Sequence, residues 1–430
     1  MSSIFEGFLS TSEVLEALNE RSFISAMLRF EAALARAQAS VGLIPEAAAH
    51  SIIDTCKIEL FDVPKIVRES ARAGSIAIPL VKALTETVGI FNPDAAAFVH
   101  LGSHSQDVID TALALVTRNA LSLIEVDVEK AVAALLTLAE RHAADPMLAR
   151  TLMQPASVTS FGLKCAGWAA PLVRSQQRLK TSSGHALSVQ LGGAVGTLAQ
   201  MKGKGPQLVA LMAAELGLKA PSFAWHTQRD EWVALGCELG LLVGSLGKIA
   251  KDIALMGQFE LGELAEPDRH GDAAMPQEHK QLACMVTLAA AQRSPQRVAA
   301  LLAAMPQEHE RALGHWQAEL AEWPALLMST HGAARAMAQV LPGLQVDTQR
   351  MRANLDAVRT AMTARVAEAW FNPALAQDAA TLARAQVQAL LAQQDRLRGH
   401  PRIAPGQPGA EDAAGRDDGD ADHAQGIRQV

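Results

Sequence analysis

VHLGSHSQDVIDTALALV, residues 99–116, opens the longest helical pattern in this chain. From Val108 apolar residues recur at helical spacing, and neither Pro nor Gly occurs over 108–143. That run is far longer than the ordinary helix of about 11 to 12 residues. Just ahead of it Gly102 permits a sharp turn, and Ser103 and Gln106 have capping-box spacing, so the segment reads as a loop entering a long helix. A helix entry presents free backbone N–H groups and a positive dipole end, which attract a carboxylate. His100, His104 and Ser105 add side-chain donors at the same place. A well-capped helix carrying two surface histidines fits the same spacing, which leaves both readings open.

Outward from this stretch the pattern stays helical. Over 23–41, Met27, Phe30, Leu34 and Ala37 mark a buried helix that Gly42 and Pro45 stop. Shorter patterns follow to about residue 97, broken at Gly74, Pro79 and Pro93. Long patterns return over 159–182, 229–263 and 282–330, the last interrupted at Pro295 and Pro306. Beyond Pro342 shorter helices are expected as far as Arg398. Ala and Leu dominate, aromatics are 4%, Tyr is absent and β-branched runs are short, so the expected class is all-α. Helices this long in a chain of 430 residues suit a central bundle whose apolar faces also pack against neighbouring subunits. Residues 399–430 are rich in Pro, Gly and Asp, lack the apolar content to offset ordering entropy, and are expected to be disordered.

A net charge of −7 with both signs interspersed gives no footprint for nucleic acid or anionic lipid. Cys56, Cys165, Cys237 and Cys284 are widely spaced, with no CxxC pair, and read as free thiols of a reducing cytoplasm. The N-terminus lacks a basic segment followed by an apolar one, and no uninterrupted apolar run reaches about 18 residues, so neither secretion nor a membrane span is expected.

Further motifs carry polar chemistry. Residues 150–168 read RTLMQPASVTSFGLKCAGW, in which Gln154 and Thr159 either reach a ligand or satisfy local backbone groups. GGAVGTLA, residues 192–199, lacks the Gly-Lys-Ser/Thr of a phosphate loop and has no alternating strand-helix context for a dinucleotide. In AWHTQRDEWV, residues 224–233, His226 and Arg229 stand at the start of a helix. AAMPQEH occurs twice, at 273–279 and at 303–309. In the second copy His309, Glu310 and Arg311 fall within an apolar helical pattern that Pro306 enters, so they need partners or a cavity.

Together these motifs, in this order, resemble the 3-carboxy-cis,cis-muconate cycloisomerases of the fumarase/aspartase superfamily, over roughly residues 23–354. HLGSHSQD matches the family's HLGxTSQD except that His104 replaces Thr, while WHTQRD is unchanged. RTLMQPASVTSFGLKCAGW resembles RTWLQxAxPVTFGxKxAGW, with Leu152 and Pro155 where relatives carry histidines. The first AAMPQEH copy departs most. GDAAMPQEHKQ, residues 271–281, stands where the family has GSSxMPxKxNP, so Asp272 and Ala273 replace the serines, Glu278 the Lys and Lys280 the Asn.

The resemblance implies a three-domain subunit: an N-terminal helical domain over 1–100, a central bundle over 101–341, and a small helical domain over 342–398 before the 399–430 tail. It implies a homotetramer with sites shared between chains, a small polycarboxylate substrate and no metal or organic cofactor. The implied reaction adds a substrate carboxylate across a double bond in protocatechuate breakdown. His104, Ser105, Gln106, Gln154, Thr159, His226, Arg229, Glu310, Arg311 and Lys280 are the expected substrate-binding residues. His100, His309 and Asp272 are the expected catalytic ones. A related adenylosuccinate-type lyase and a non-catalytic oligomer of the same fold are the alternatives.

Overall fold

The computed structural model describes residues 4–267 and 281–398. Asp272, Lys280 and the rest of the altered loop up to that point, together with the tail, lie outside the described residues.

Six helices lead the chain: α1 (Ile4–Leu9), α2 (Ser12–Ala17), α3 (Glu20–Ser40), α4 (Glu46–Thr55), α5 (Val63–Ala73) and α6 (Ala77–Phe91). Asn19 caps α3 by accepting from the Ser22 N–H at 2.7 Å, and Gly42, at φ +72°, follows its end. A bundle follows, formed by α7 (Ser105–Arg141), α8 (Phe161–Ala186), α10 (Asp230–Met256), α11 (Leu282–Ala303) and α12 (His315–Val340), while the intervening α9 (Gly205–Leu216) packs on α3. The last described helices are α13 (Thr348–Thr360), α14 (Ala364–Phe371) and α15 (Ala376–Arg398).

The 37 residues of α7 make a rod of roughly 55 Å. It packs on α3 from one side and on α8 and α12 from others, which is why nearly every residue from Gln106 to Leu121 is buried. A helix covered on several sides has no polar face, and its apolar run is correspondingly continuous. Helix α10 is long and apolar enough to cross a membrane by length and composition, yet it runs between α8, α11 and α12.

Four expectations change. The 282–330 pattern is two helices, separated by a loop over 304–314 that holds the whole MPQEHER segment, so Pro306 enters no helix. Pro295 lies within α11, where packing against α10 and α12 overrides the roughly 3 kcal/mol local penalty. Residues 146–160 form an antiparallel hairpin of β1 (Pro146–Thr151) and β2 (Gln154–Ser160). Finally, α15 spans 23 residues and packs along α8, so the described residues beyond Pro342 include a long helix as well as short ones. A second short pair, β3 (Leu264–Ala265) with β4 (Gln345–Val346), ties the end of the α10 segment to the start of α13.

Candidate active site

Helix α7 begins one residue later than capping-box spacing predicts. His104 is the N-cap, and the Asp107 carboxylate accepts from the His104 N–H at 3.0 Å, whereas the Ser103 hydroxyl is buried with no hydrogen-bond partner among the described residues. Asp107 is fully buried and receives three more donors: the Gly192 N–H at 3.0 Å, the Gly193 N–H at 2.9 Å and His226 Nε2 at 2.6 Å. The glycines of GGAVGTLA therefore bring backbone donors to an anion, but that anion is a side chain of the protein. Only glycine fits at 192, because a Cβ would stand 2.5 Å from His226 Cε1. Gly193 adopts φ +67°, in the left-handed region.

One turn further along α7, buried Asp110 accepts from Arg229 Nη1 at 2.9 Å, Trp316 Nε1 at 3.0 Å and Gln106 Nε2 at 3.2 Å. The Arg229 guanidinium also donates through Nε to Glu319 at 3.1 Å, through Nη2 to Glu319 and Asp110, and through Nη1 to the Trp225 carbonyl. All five of its N–H groups are thus engaged inside the protein. Burial works against the Arg229 charge, but Asp110 and Glu319 outweigh it and raise its pKa above the ordinary value. Burial raises the Glu319 pKa, and Arg229 opposes that shift. Arg229 also lies over the Trp225 ring at 4.4 Å, the first of three stacked indoles with Trp232 and Trp323, which fixes the start of α10.

Arg311 differs from Arg229 in what it leaves unused. From the 304–314 loop it donates to Gln106 Oε1 at 2.9 Å and to the carbonyls of Ala194 and Gly193. It is half-buried, and two of its N–H groups remain for a ligand among the described residues. Ser105, half-buried, and Gln106 are the first two helical residues, and their backbone N–H groups have no intrahelical acceptor. His104 is exposed at the same end; desolvation and the Arg311 charge hold its pKa below the usual imidazole value. His100 sits in the preceding loop with Nδ1 at 2.6 Å from Glu31 Oε1. The His309 carbonyl accepts from Thr227 Oγ1 at 3.1 Å, and the side chains of His309 and Glu310 are exposed.

The chain thus gathers His104, Ser105, Gln106, His226, Arg229 and Arg311 at one end of α7. Gln154 and Thr159 stand elsewhere. Gln154 pairs with Thr151 at the hairpin turn, Thr159 pairs with Met147, and the hairpin leaves the opposite end of α7 to pack on α13, α14 and α15. Sequence reasoning missed Asp107, Asp110 and Glu319 as site residues. Their signal was an acid on a face that is otherwise apolar, which requires a buried partner.

An all-α subunit built on a bundle of long helices has the architecture of the fumarase/aspartase superfamily. The sequence model of the lyase family matches residues 9–281. The chain is 42% identical over 360 residues to a 3-carboxy-cis,cis-muconate cycloisomerase of Bradyrhizobium diazoefficiens, covering 83% of this chain and 80% of the relative. It is 39% identical over 386 residues to a nitrosuccinate lyase of Streptomyces davaonensis, with 87% and 81% covered. Its fold matches the crystal structure of the 3-carboxy-cis,cis-muconate lactonizing enzyme from Pseudomonas putida with a TM-score of 0.78 at 38% identity, covering 92% of this chain and 89% of that one. The chain belongs to the lyase family, as a relative of its 3-carboxy-cis,cis-muconate cycloisomerases.

Proposed function

We propose that this protein is a cytoplasmic cycloisomerase that converts 3-carboxy-cis,cis-muconate to a carboxymuconolactone in protocatechuate breakdown. The observation that carries the reading is Arg311, whose two unused N–H groups stand beside the Ser105 and Gln106 N–H groups, which have no intrahelical acceptor, over a floor whose own charges are already paired. In this reading a substrate carboxylate docks on Arg311, Ser105 and the α7 entry through charge-assisted bonds. Gln106 is held from both sides, by Arg311 and by the His226 carbonyl at 2.9 Å, and fixes that arginine. Asp107, His226, Arg229, Asp110 and Glu319 form the rigid support. One carboxylate oxygen of the substrate forms the new C–O bond at an alkene carbon, and a proton goes to the neighbouring carbon. His100 supplies that proton. The nucleophile is part of the substrate, so positioning and charge stabilisation supply the catalysis. Gln154 and Thr159 complete the site from a neighbouring subunit of a tetramer.

Loss of the diene absorbance, with the product identified by NMR, tests the activity. Turnover is expected, and none above buffer at high enzyme concentration overturns the reading. Nitrosuccinate and succinyl adducts run in parallel separate it from other lyase chemistries.

A second reading, a catalytically impaired member of the family, is favoured by one specific observation: GDAAMPQEHKQ keeps neither the serines nor the Lys of the family loop. Grafting GSSTMPHKRNP over residues 271–281, extended upstream by about three residues, is expected to raise turnover by roughly 10²–10⁴-fold if a proton-transfer group was lost. If Asp272 has taken over that task, the graft leaves the rate flat and Asp272→Ala abolishes it.

A further inference from the structure

Helix α3 carries two buried polar side chains one heptad apart, Glu31 and Gln38, and both meet the loop that leads into α7. Gln38 Nε2 donates to the Leu101 carbonyl at 2.7 Å, which pins the loop. Glu31 Oε1 lies 2.6 Å from His100 Nδ1, and its other oxygen, Oε2, is buried with no hydrogen-bond partner among the described residues. A carboxylate so desolvated requires a positive partner in contact. His100 reaches it from a backbone at φ +58°, in the left-handed region that is uncommon for a residue with a Cβ.

We propose that Glu31 is a positioning residue that holds His100 as the imidazolium at the mouth of the site, engaging its Nδ1–H and leaving the Nε2–H for the reaction. The dyad is a property of the unliganded chain, and only the use of the Nε2 proton rests on the cycloisomerase reading.

Two titratable groups act on the ring, Glu31 from α3 and Asp107 from α7, while the ring in turn acts on His104 in the same loop. Burial of the ring opposes its charge, but Glu31 and Asp107 outweigh burial and raise the His100 pKa. His104, four residues on, is moved the other way. Two histidines beside one helix entry are thereby moved in opposite directions, the arrangement in which acid and base roles are divided.

The experiment is an NMR titration of the histidine Cε1–H resonances in the full-length, unliganded protein, with His100 assigned by its absence in His100→Gln. In the wild type the His100 midpoint is expected above that of a free histidine. In Glu31→Gln, which keeps the side-chain shape, it should fall by at least about one pH unit, roughly tenfold in proton affinity, and Glu31→Asp should recover part of the difference. A wild-type midpoint at or below that of free histidine overturns the proposal even if the variant fails to fold, and so does an unchanged midpoint in a folded Glu31→Gln. Where turnover is measurable, the alkaline limb of the kcat profile moves to lower pH in Glu31→Gln and returns part of the way in Glu31→Asp. An unmoved limb beside a shifted midpoint leaves the dyad intact and removes the proton-donor role. An inactive protein leaves the titration fully decisive, so failure of the activity and failure of the dyad are told apart.

Discussion

Two arginines of the same chemistry have opposite accounts, and a pair of substitutions separates them. Arg229→Ala strands Asp110 and Glu319, both fully buried, and is expected to cost about 3–5 kcal/mol of stability in urea unfolding. Arg311→Ala removes a half-buried cation bonded to one side chain and two carbonyls; unfolding should change little, while retention of a tricarboxylate in calorimetry weakens by about 1.5–3 kcal/mol. Far from the site, Arg335 holds the Glu13 carboxyl down from its ordinary 4.5 to about 2. The contribution of that pair to stability is present above 4.5 and is lost as pH falls toward 2. Because Glu13 is partly exposed and screened, the acid-side difference between wild type and Glu13→Gln should be small and should shrink further in salt. The histidines and arginines of the site were legible as donors near a helix start. The acids were not, because Asp107, Asp110 and Glu319 become a floor only once the 192–196 and 304–314 loops close over them.

At the scale of elements, α7 followed directly from its periodicity, but the loop before α12 did not. An apolar count over 282–330 looks helical because Met305, Ala312 and Leu313 continue the composition, while the chain leaves the helix at Ala304, is held as a loop by the contacts of Arg311, and re-enters helix only after Gly314, at φ +101°. The Gly-rich loop offers a sharp test. In Gly192→Ala the new Cβ meets Ala224 Cβ at 2.8 Å and the still closer His226 ring, so the His226–Asp107 bond must move. Helicity should be retained and kcat should fall by roughly 100-fold, the order expected for a misplacement of about 1 Å. The hairpin was missed because its turn residues, Leu152 and Met153, both adopt positive φ without the Asn-Gly chemistry such a turn favours. Replacing that pair by Asn-Gly is expected to raise the thermal midpoint through relief of about 1 kcal/mol of strain.

At the scale of the whole molecule, the rod of α7 holds the expected site residues apart. Arg311 and Ser105 are at its entry, while Gln154 and Thr159 belong to a hairpin beyond its far end, roughly 55 Å away. No single chain of this shape brings them together, which is the physical basis for the proposed tetramer. Light scattering should report four subunits, both for the full chain and for a truncation after Arg398. Mixing Arg311→Ala with Gln154→Ala, each expected to be impaired alone, should restore part of the activity, because some sites then receive intact residues from both chains. A stable monomer, or no recovery on mixing, contradicts the shared site.

What the amino-acid sequence determined by itself was local and cumulative. Ala- and Leu-rich periodicity over 108–143 set a long helix, its length called for a bundle, and motifs in one order named the family. What only the tertiary structure decided was which polar groups are spent on the protein and which are left for a ligand. Arg229 and Arg311 carry the same guanidinium in flanking sequence of similar character. The difference is that Asp110 and Glu319, from helices far apart in the chain, converge on the first, and mainly backbone carbonyls meet the second. Hydrogen-bond saturation is a property of neighbours brought together over long sequence separations, and local pattern carries no record of it.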